Sequence, residues 1–265
     1  IIVIDDDEYG QIDLVHLEQE LAKGAEMVTL THTPTSGGLI NPAESVGTLC
    51  NAYNTFFVLD ACQSIGQVPI NVKEIGCQVL SATSRKYLRG PRGVGFLYVE
   101  ESALDQIEPP FLDLRAATWT SDMGYEIVDG AKRFENWETN FAGKLGLGAA
   151  IDYALDLTVE KTSIRLKALA EILRSKLASL NELSIHDQGQ DKGGIVTFSI
   201  EGLESEVVSQ KLRAQKINTS TTAPGAARFD LDHRGIPTVV RASTHYYNSE
   251  EEIDCFVSAV AALSK

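Results

Sequence analysis

Apolar segments alternate with amphipathic helical segments through the first hundred residues of the chain. Four of these apolar segments predict strands, at residues 27–30, 56–60, 79–82 and 95–99. Their apolar residues show little alternation, which is typical of strands in a mainly parallel sheet that is covered on both faces. A first helix is expected to begin after Asp13, to place Leu14, Leu17 and Leu21 on one apolar face, and to end at Gly24.

The same patterns extend on either side of this region. Residues 1–4 form an apolar run that predicts another strand, and Asn41 followed by Pro42 has the form of a helix start. Residues 109–140 contain prolines and scattered aromatic side chains, so this segment is expected to be mostly irregular. Residues 142–157 then predict a helix that is rich in small side chains on one face.

The second half of the chain begins with a long amphipathic helix at residues 159–180, which predicts the crossing into a second domain. Further elements are expected downstream: a strand at 194–200, a helix at 204–215, strands at 217–221 and 238–242, and a last helix that starts at Ser249 with Glu252 completing a capping box. The predicted fold class is therefore α/β. It consists of a large domain with a mainly parallel sheet at residues 1–157 and a small α+β domain at residues 158–265.

Composition narrows the range of partners. The chain has 265 residues and a formal net charge of -14, which argues against nucleic acid and anionic membrane surfaces as partners. Its sequence contains no apolar run of the roughly 20 residues that span a bilayer and no visible secretory signal. Four scattered cysteines without a CxxC pair favour neither disulfides nor a metal site, so a cytoplasmic location is expected. The chain lacks an initiator Met and resembles the middle and end of a longer protein.

Polar residues that could take part in binding or catalysis stand at the ends of two neighbouring predicted strands. Asp60 ends one strand, and Lys86 follows the next one within a run of hydroxyl side chains, arginines and glycines. Hydroxyl groups, backbone N–H groups and guanidinium groups are the donors that bind phosphate. Burial and neighbouring cations both lower the pKa of a lysine, and its neutral amine is then a nucleophile. A solvated surface lysine is the alternative interpretation of Lys86.

Asp60 also has two interpretations. An acid at the end of a strand can cap the element that follows, which is a purely structural role. A carboxylate can also keep a pyridine nitrogen protonated, which makes the ring an electron sink. Gln63 stands three residues further on, where its amide could donate a hydrogen bond to a substituent of such a ring.

Four ordered motifs carry a resemblance to a known family. They are Asp60-Ala-x-Gln63, the Thr83-x-x-Lys86 segment followed by GPRGVGFLYV, FENWETN at residues 134–140, and RASTHYYN at residues 241–248. Together with HTPTSGGLINP at residues 32–42, they resemble the class V aminotransferases. These are pyridoxal 5'-phosphate (PLP) enzymes of fold type I, a family that includes cysteine desulfurases, C–S lyases and isopenicillin N epimerase.

The resemblance implies a role for each matching residue. Lys86 would form the Schiff base with PLP and move the proton at the substrate's α-carbon. Asp60 would pair with the pyridine nitrogen and Gln63 with the ring hydroxyl. Thr83 and Arg85 stand at two positions near the phosphate where the family usually has serine and histidine. The remaining implied positions are Thr35, near the ring and substrate, and Arg241, which would bind the substrate's carboxylate.

Departures from the family pattern bear on the reaction. Desulfurases carry a catalytic cysteine before the arginine motif, whereas residues 218–228 contain none, which argues against a protein persulfide. Trp137 and Glu138 replace the Gly-Thr pair that reaches the partner subunit's phosphate in relatives. His245 is expected to be structural beside its tyrosine neighbours, with lining of the substrate pocket as the alternative.

The resemblance implies a PLP enzyme that acts on a small amino acid, with β-elimination of the C–S lyase type as the expected reaction. Transamination and epimerisation remain alternatives, because Lys86 and Asp60 would serve all three. A homodimer is expected from the family. The family's stacking ring and first phosphate loop have no counterpart in these 265 residues, so a non-catalytic fragment is the alternative from a different class.

Overall fold

A computed structural model describes residues 1–264 and folds them around two hydrophobic cores. The first core surrounds a four-stranded sheet, whose strands are β1 (Met27–Thr31), β2 (Phe56–Asp60), β3 (Val79–Thr83) and β4 (Gly95–Val99). The strands lie in the order β1-β2-β3-β4. The first three are parallel, and β4 runs antiparallel to β3. The predicted α/β fold with a mainly parallel sheet is confirmed.

The register of this sheet brings the carboxyl ends of three strands to one edge. Thr31 pairs with Asp60, and Asp60 pairs with Ser81, so β1 and β2 end at the same level and β3 extends two residues further, to Thr83. Ligands of open α/β sheets bind outside the carboxyl ends of the strands. The alignment therefore places Asp60 at the edge from which the segment carrying Lys86 departs.

Three helices cover the sheet: α1 (Leu14–Leu21), α2 (Ala43–Ala52) and the short α3 (Val72–Ile75). The Asp13 side chain accepts hydrogen bonds from the backbone N–H groups of Val15 and His16, as the predicted cap requires. The α2 helix begins one residue later than expected, because Pro42 is its N-cap. The Asn41 side chain instead joins two loops by accepting from the Ile12 backbone and donating to the Thr31 carbonyl.

One prediction of an extended segment is wrong, and the prediction of a mostly irregular segment is confirmed. Residues 1–4 form no strand within the described part of the chain, because an apolar run becomes a strand only beside a partner that shares its hydrogen bonds. Residues 109–140 are mostly irregular, but they also contain an unpredicted hairpin of β5 (Ala117–Ser121) and β6 (Gly124–Ile127). Trp119 pairs with Tyr125 across this hairpin, and both side chains are exposed.

The remaining helices and strands are α4 (Phe141–Leu157), α5 (Val159–Ala178), β7 (Leu183–Ile185), β8 (Ile195–Ile200), α6 (Ser205–Ala214), β9 (Ser220–Thr222), β10 (Val239–Ser243) and α7 (Glu250–Ala261). Strands β7-β8-β10-β9 form an antiparallel sheet, of which the short β7 was not predicted. The apolar face of α5 packs on this sheet in the second core, with Leu169 and Phe198 fully buried. Ser249 and Glu252 form the predicted capping box at the start of α7.

The predicted domain boundary coincides with Thr158, which separates α4 from α5 and has a φ of 62°. A threonine in the left-handed region is uncommon, and here it lets two helices follow one another at a sharp turn. The division into two domains at this point stays a prediction.

Hydrogen bonds nevertheless join the two cores across a seam. The Gly193 N–H donates to the Gly38 carbonyl at 2.7 Å. Gln67, whose side chain is fully buried, accepts from the Gly194 N–H at 3.1 Å and donates to the Gln63 carbonyl at 2.6 Å. The loop that leads into β8 is therefore fixed to the segment that follows β2.

Candidate active site

A cavity of about 490 Å³ lies between the carboxyl ends of the large sheet and the end of β10. Its volume falls in the range of about 300–1,000 Å³ that is usual for ligand sites. Five of the residues predicted for the site line this cavity, namely Thr35, Gln63, Arg85, Lys86 and Arg241. They come from four separate stretches of the chain, which folding has brought to one place.

Lys86 follows the end of β3 and is half-buried in the wall of the cavity. Burial lowers the pKa of its ammonium group, and the nearby cations Arg85 and Arg241 lower it further, while Cys62 and Asp60 act in the opposite direction. The lowered pKa enlarges the fraction of neutral amine near neutral pH. A solvated surface lysine would show neither this burial nor these neighbours.

Asp60 is half-buried at the end of β2 and does not itself line the cavity. Its Oδ1 accepts a hydrogen bond from the Cys62 backbone N–H at 2.9 Å, so the structural capping role is present. Its charge also acts on Lys86 by raising the pKa of that amine. A carboxylate has two oxygens, and the local turn uses one of them.

Gln63 and Thr35 contact each other on the floor of the cavity. The Gln63 Nε2 donates to the Thr35 Oγ1 at 2.6 Å, and the Gln63 side chain is only 5% exposed. The Gln67 side chain holds the Gln63 carbonyl from the other side. Because an amide nitrogen carries two donors, Gln63 keeps one for a ligand.

The two residues predicted for a phosphate differ in position. Arg85 is exposed and lines the cavity, whereas Thr83 is half-buried at the end of β3 and does not line it. Within residues 1–264, neither side chain has a hydrogen bond or an ion pair. The hydroxyl between them, on Ser84, donates to the Pro91 carbonyl and so stabilises the following turn.

Arg241 lies in β10, where its backbone pairs with Thr197 and Ser220. Its Nε is buried and has no hydrogen-bond partner among the described residues. Burial lowers the pKa of this guanidinium, whereas the nearby Tyr87 raises it. A buried donor without a partner is costly, and a ligand carboxylate would satisfy it.

Five further residues line the cavity and were not assigned to the site from sequence: Tyr87, Ser243, Thr244, His245 and Tyr247. Lining of the cavity by His245 was weighed as the weaker of two alternatives. Tyr87 could have been suspected from its position directly after Lys86. Its surroundings depend on a distant part of the chain, however, because its ring stacks on His245 with centroids 5.3 Å apart.

All four cysteines in the chain are free, and none of them lines the cavity. Cys62 is near Lys86, but burial raises the pKa of its thiol, and Asp60 raises it further. A thiol with a raised pKa is a poor nucleophile. Residues 218–228, which contain no cysteine, form β9 and the irregular turns that follow it. The Trp137 and Glu138 side chains are exposed.

The described residues contain no group of three His, Cys, Asp or Glu side chains that could hold a metal ion. Among the helices of residues 1–264, none combines the length and the apolar character of a membrane span.

Comparison with known proteins gives consistent results. The family model described as "Aminotransferase class-V" matches residues 1–256. A probable cysteine desulfurase from Pyrococcus abyssi is 30% identical over 99% of this chain and 65% of its own length. A cysteine desulfurase from Haloferax volcanii is 27% identical over 98% of this chain and 61% of its own length.

Solved structures agree with this result. The apo structure of a cysteine desulfurase from Thermococcus onnurineus NA1 superposes with a TM-score of 0.93 at 29% identity, covering 99% of this chain and 66% of that one. The cystine C–S lyase C-DES, in complex with its product cysteine persulfide, superposes with a TM-score of 0.82 at 25% identity, covering 94% and 64%. The chain thus spans 61% to 66% of the length of these four proteins.

Proposed function

Because the chain belongs to the aminotransferase class-V family, we propose that it contributes to a PLP-dependent enzyme that cleaves C–S bonds of amino acids. The observation that carries this proposal is the cavity in which the half-buried Lys86 amine meets the unpaired Arg241 guanidinium. An amine and a guanidinium are the groups needed to hold the cofactor and the substrate's carboxylate.

The residues around the cavity fit PLP by charge and by donor type. The Lys86 amine would hold the cofactor covalently, and Asp60 would face its pyridine nitrogen. Gln63 and Thr35 would contact its ring, while Arg85 and Thr83 would bind its phosphate. This assignment is supported by the unpaired donors of Arg85 and by the second donor that Gln63 keeps after its bond to Thr35. Bound PLP supplies an electron sink for the bonding electrons of the substrate's α-carbon.

Lys86 is also the proposed base. Its Nζ would take the proton from the substrate's α-carbon. The burial and the two arginine neighbours that lower its pKa keep a larger share of this amine neutral. Arg241 would bind the substrate's carboxylate through its planar fork and so orient the α-carbon toward Lys86.

The positions and the pKa of the chain's cysteine thiols indicate where the sulfur of the substrate goes. No thiol lines the cavity, and the pKa of the nearest thiol, on Cys62, is raised. We therefore infer that the sulfur leaves with its own substituent as a free thiol and is not transferred to the protein. Elimination from a cysteine thioether, followed by hydrolysis with one water molecule, would then yield this thiol, pyruvate and ammonia.

The first experiment tests the cofactor. Protein is mixed with PLP, reduced with borohydride and digested, and the peptide that contains Lys86 is weighed by mass spectrometry. The expected result is a stoichiometric PLP adduct on Lys86 that is absent from Lys86→Ala. An adduct spread over exposed lysines, or none at all, would favour the alternative of a non-catalytic fragment.

The second experiment tests the reaction with an S-alkyl cysteine and no added keto acid. Release of pyruvate, ammonia and thiol in equal amounts is expected. Conversion of the S-alkyl cysteine to its alkylthio keto acid, only with an added keto acid that becomes the matching amino acid, would indicate an aminotransferase. Loss of optical purity without pyruvate would indicate an epimerase. Transfer of sulfur to a protein cysteine, detected by mass, would contradict the inference about the thiol.

The proposed partner is a second copy of the chain. Support comes from exposed apolar side chains between β4 and the middle of α4, which include Phe111, Trp119, Met123, Phe141 and Leu145. Exposed apolar side chains that lie together on a surface mark interfaces between proteins. Light scattering is expected to give the mass of a dimer, and Trp119→Ser with Phe141→Ser is expected to shift it toward the monomer. The four free thiols favour a reducing cytoplasm as the location.

A further inference from the structure

Tyr87 and His245 face each other across the seam between the two cores. Tyr87 directly follows Lys86, and His245 lies two residues beyond the end of β10, the strand that carries Arg241. Both side chains line the cavity, yet Tyr87 is only 7% and His245 only 8% exposed. Tyr87, next to the Lys86 amine, and His245, beyond the strand that carries Arg241, are therefore in direct contact.

The hydrogen bonds of His245 determine which ring nitrogen carries the proton. The Tyr246 backbone N–H lies 3.0 Å from Nδ1, and since a backbone N–H can only donate, Nδ1 is the acceptor. The proton of the neutral ring is therefore on Nε2, which donates to the Tyr87 carbonyl at 3.3 Å. Both nitrogens are engaged, so the imidazole has no free site for exchanging a proton with a ligand.

Aromatic contacts hold the plane of the ring. The imidazole is stacked between Tyr87, at a centroid distance of 5.3 Å and an angle of 27°, and Tyr247, at 4.4 Å and 15°. The Arg89 guanidinium lies above the rings of Tyr246 and Tyr247 and adds a positive charge on that side. Burial and the charge of Arg89 lower the pKa of His245 to about 4, so the ring stays neutral near neutral pH.

We propose that His245 is a positioning residue, which ties the peptide unit after Lys86 to the end of the strand that carries Arg241. This proposal rests on the proposed function of those two residues. An α-amino acid carries its amine and its carboxylate on a single carbon, so the separation of Lys86 and Arg241 must match that short span. The neutral histidine keeps this separation by joining the two backbone segments on which the two side chains stand.

The link that His245 makes between the two backbone segments can be tested without cofactor. The side-chain ¹H–¹⁵N spectrum of the histidines, assigned with His245→Gln, reports the tautomer of each ring. His245 is expected to be the Nε2–H tautomer and to keep it between pH 7 and pH 5.5. A ring that carries its proton on Nδ1, or that becomes protonated with a midpoint near the ordinary value of about 6.5, would overturn the proposal.

The positioning role is tested on the PLP-loaded protein with two probes, L-alanine and ethylamine, followed by the change in visible absorbance. Ethylamine is alanine without its carboxylate, so it does not use Arg241. His245→Phe keeps a stacked ring and loses both hydrogen bonds, whereas His245→Gln can keep the donor to the Tyr87 carbonyl. His186→Phe is the matched control, because His186 bonds Ser199 in the small domain and does not line the cavity.

In His245→Phe, the dissociation constant of L-alanine is expected to rise about tenfold, which corresponds to the loss of one buried hydrogen bond, while that of ethylamine stays within about twofold. His245→Gln is expected to recover most of the loss, and His186→Phe to leave the ratio of the two constants unchanged. Equal weakening of both probes, or no change, would overturn the proposal. If the wild-type protein takes up no PLP, the proposed function is wrong. The histidine ¹H–¹⁵N spectrum then still tests whether His245 links the two backbone segments.

Discussion

At the scale of single residues, burial determines the chemistry that each side chain of the cavity can perform. Lys86 and Arg241 are partly buried cations, and burial lowers the pKa of both. His32 and His245 are buried as well, and the pKa of each is lowered to about 4. The cavity, which His245 lines and His32 does not, therefore combines an amine that loses its proton readily with an imidazole that does not gain one.

The lowered pKa of Lys86 predicts a reactive amine. The rate of its reductive methylation in the protein without PLP should show a midpoint below the usual lysine value of about 10.4. Arg85→Gln removes a cation that lowers this pKa, so the midpoint should rise. Peptide mass spectrometry can follow Lys86 beside the exposed Lys161 as an internal reference. A midpoint that stays the same in Arg85→Gln would show that the guanidinium does not act on the amine.

His32 predicts a loss of stability in mild acid. Its pKa is lowered to about 4 by burial, so the unfolded chain takes up this proton at a higher pH than the folded chain does. The contribution to stability is complete above about pH 6.5 and is lost as the pH falls toward 4. Between pH 7 and pH 5, urea unfolding should show a loss of about 2 kcal/mol from this group. His32→Gln should remove that part of the pH dependence, and an unchanged slope would contradict it.

At the scale of elements, contacts of the backbone explain what the periodicity of side chains could not. Strands β1 to β4 were predicted within one residue at each end, because each is an apolar run between polar turns. The capping signals of α1 and α7 were equally local and equally reliable. The β5–β6 hairpin was missed, because its side chains are mostly exposed on both faces and leave no alternation of apolar and polar residues.

Two glycines inside helices show how differently the same substitution acts. A Cβ on Gly47 in α2 would lie 1.7 Å from the Ile75 carbonyl oxygen, where the backbone of α3 passes. A Cβ on Gly148 in α4 would meet nothing within 4 Å. Gly47→Ala should therefore cost more than about 3 kcal/mol of unfolding free energy. Gly148→Ala should gain about 0.5–1 kcal/mol from helix propensity. Urea unfolding measures both, and equal effects would show that α2 and α3 are not in close contact.

At the scale of the whole molecule, the seam between the two cores is what a sequence alone could not predict. The residues expected at the strand ends, Asp60 and Lys86, follow from the pattern of one sheet. Tyr87 and His245 are 158 residues apart along the chain and belong to the cavity only because the two cores meet there. Contacts of such separation leave no local signal, and Gln67, which bridges the same seam, has the sequence context of an ordinary loop residue.

The seam predicts cooperative unfolding of the two cores. Gln67→Ala leaves the Gln63 carbonyl and the Gly194 N–H buried without partners, each at a cost of about 1–3 kcal/mol. Calorimetry should show one transition for the wild type and a broadened or divided transition for Gln67→Ala. Gln210→Ala, an exposed position on α6, is the matched control. An unchanged single transition in Gln67→Ala would show that other contacts hold the two cores together.

The charges that line the cavity also affect how quickly a ligand arrives. Arg85, Lys86 and Arg241 face a space lined by no carboxylate, in a chain with a formal net charge of -14. The rest of the surface repels small anions, whereas the mouth of the cavity attracts them, and such fields raise association rates by roughly 10- to 1,000-fold. Salt at physiological strength screens this attraction beyond about 8 Å. The association rate of an anionic ligand should therefore fall as the salt concentration rises, whereas its dissociation rate depends on the contacts inside the cavity.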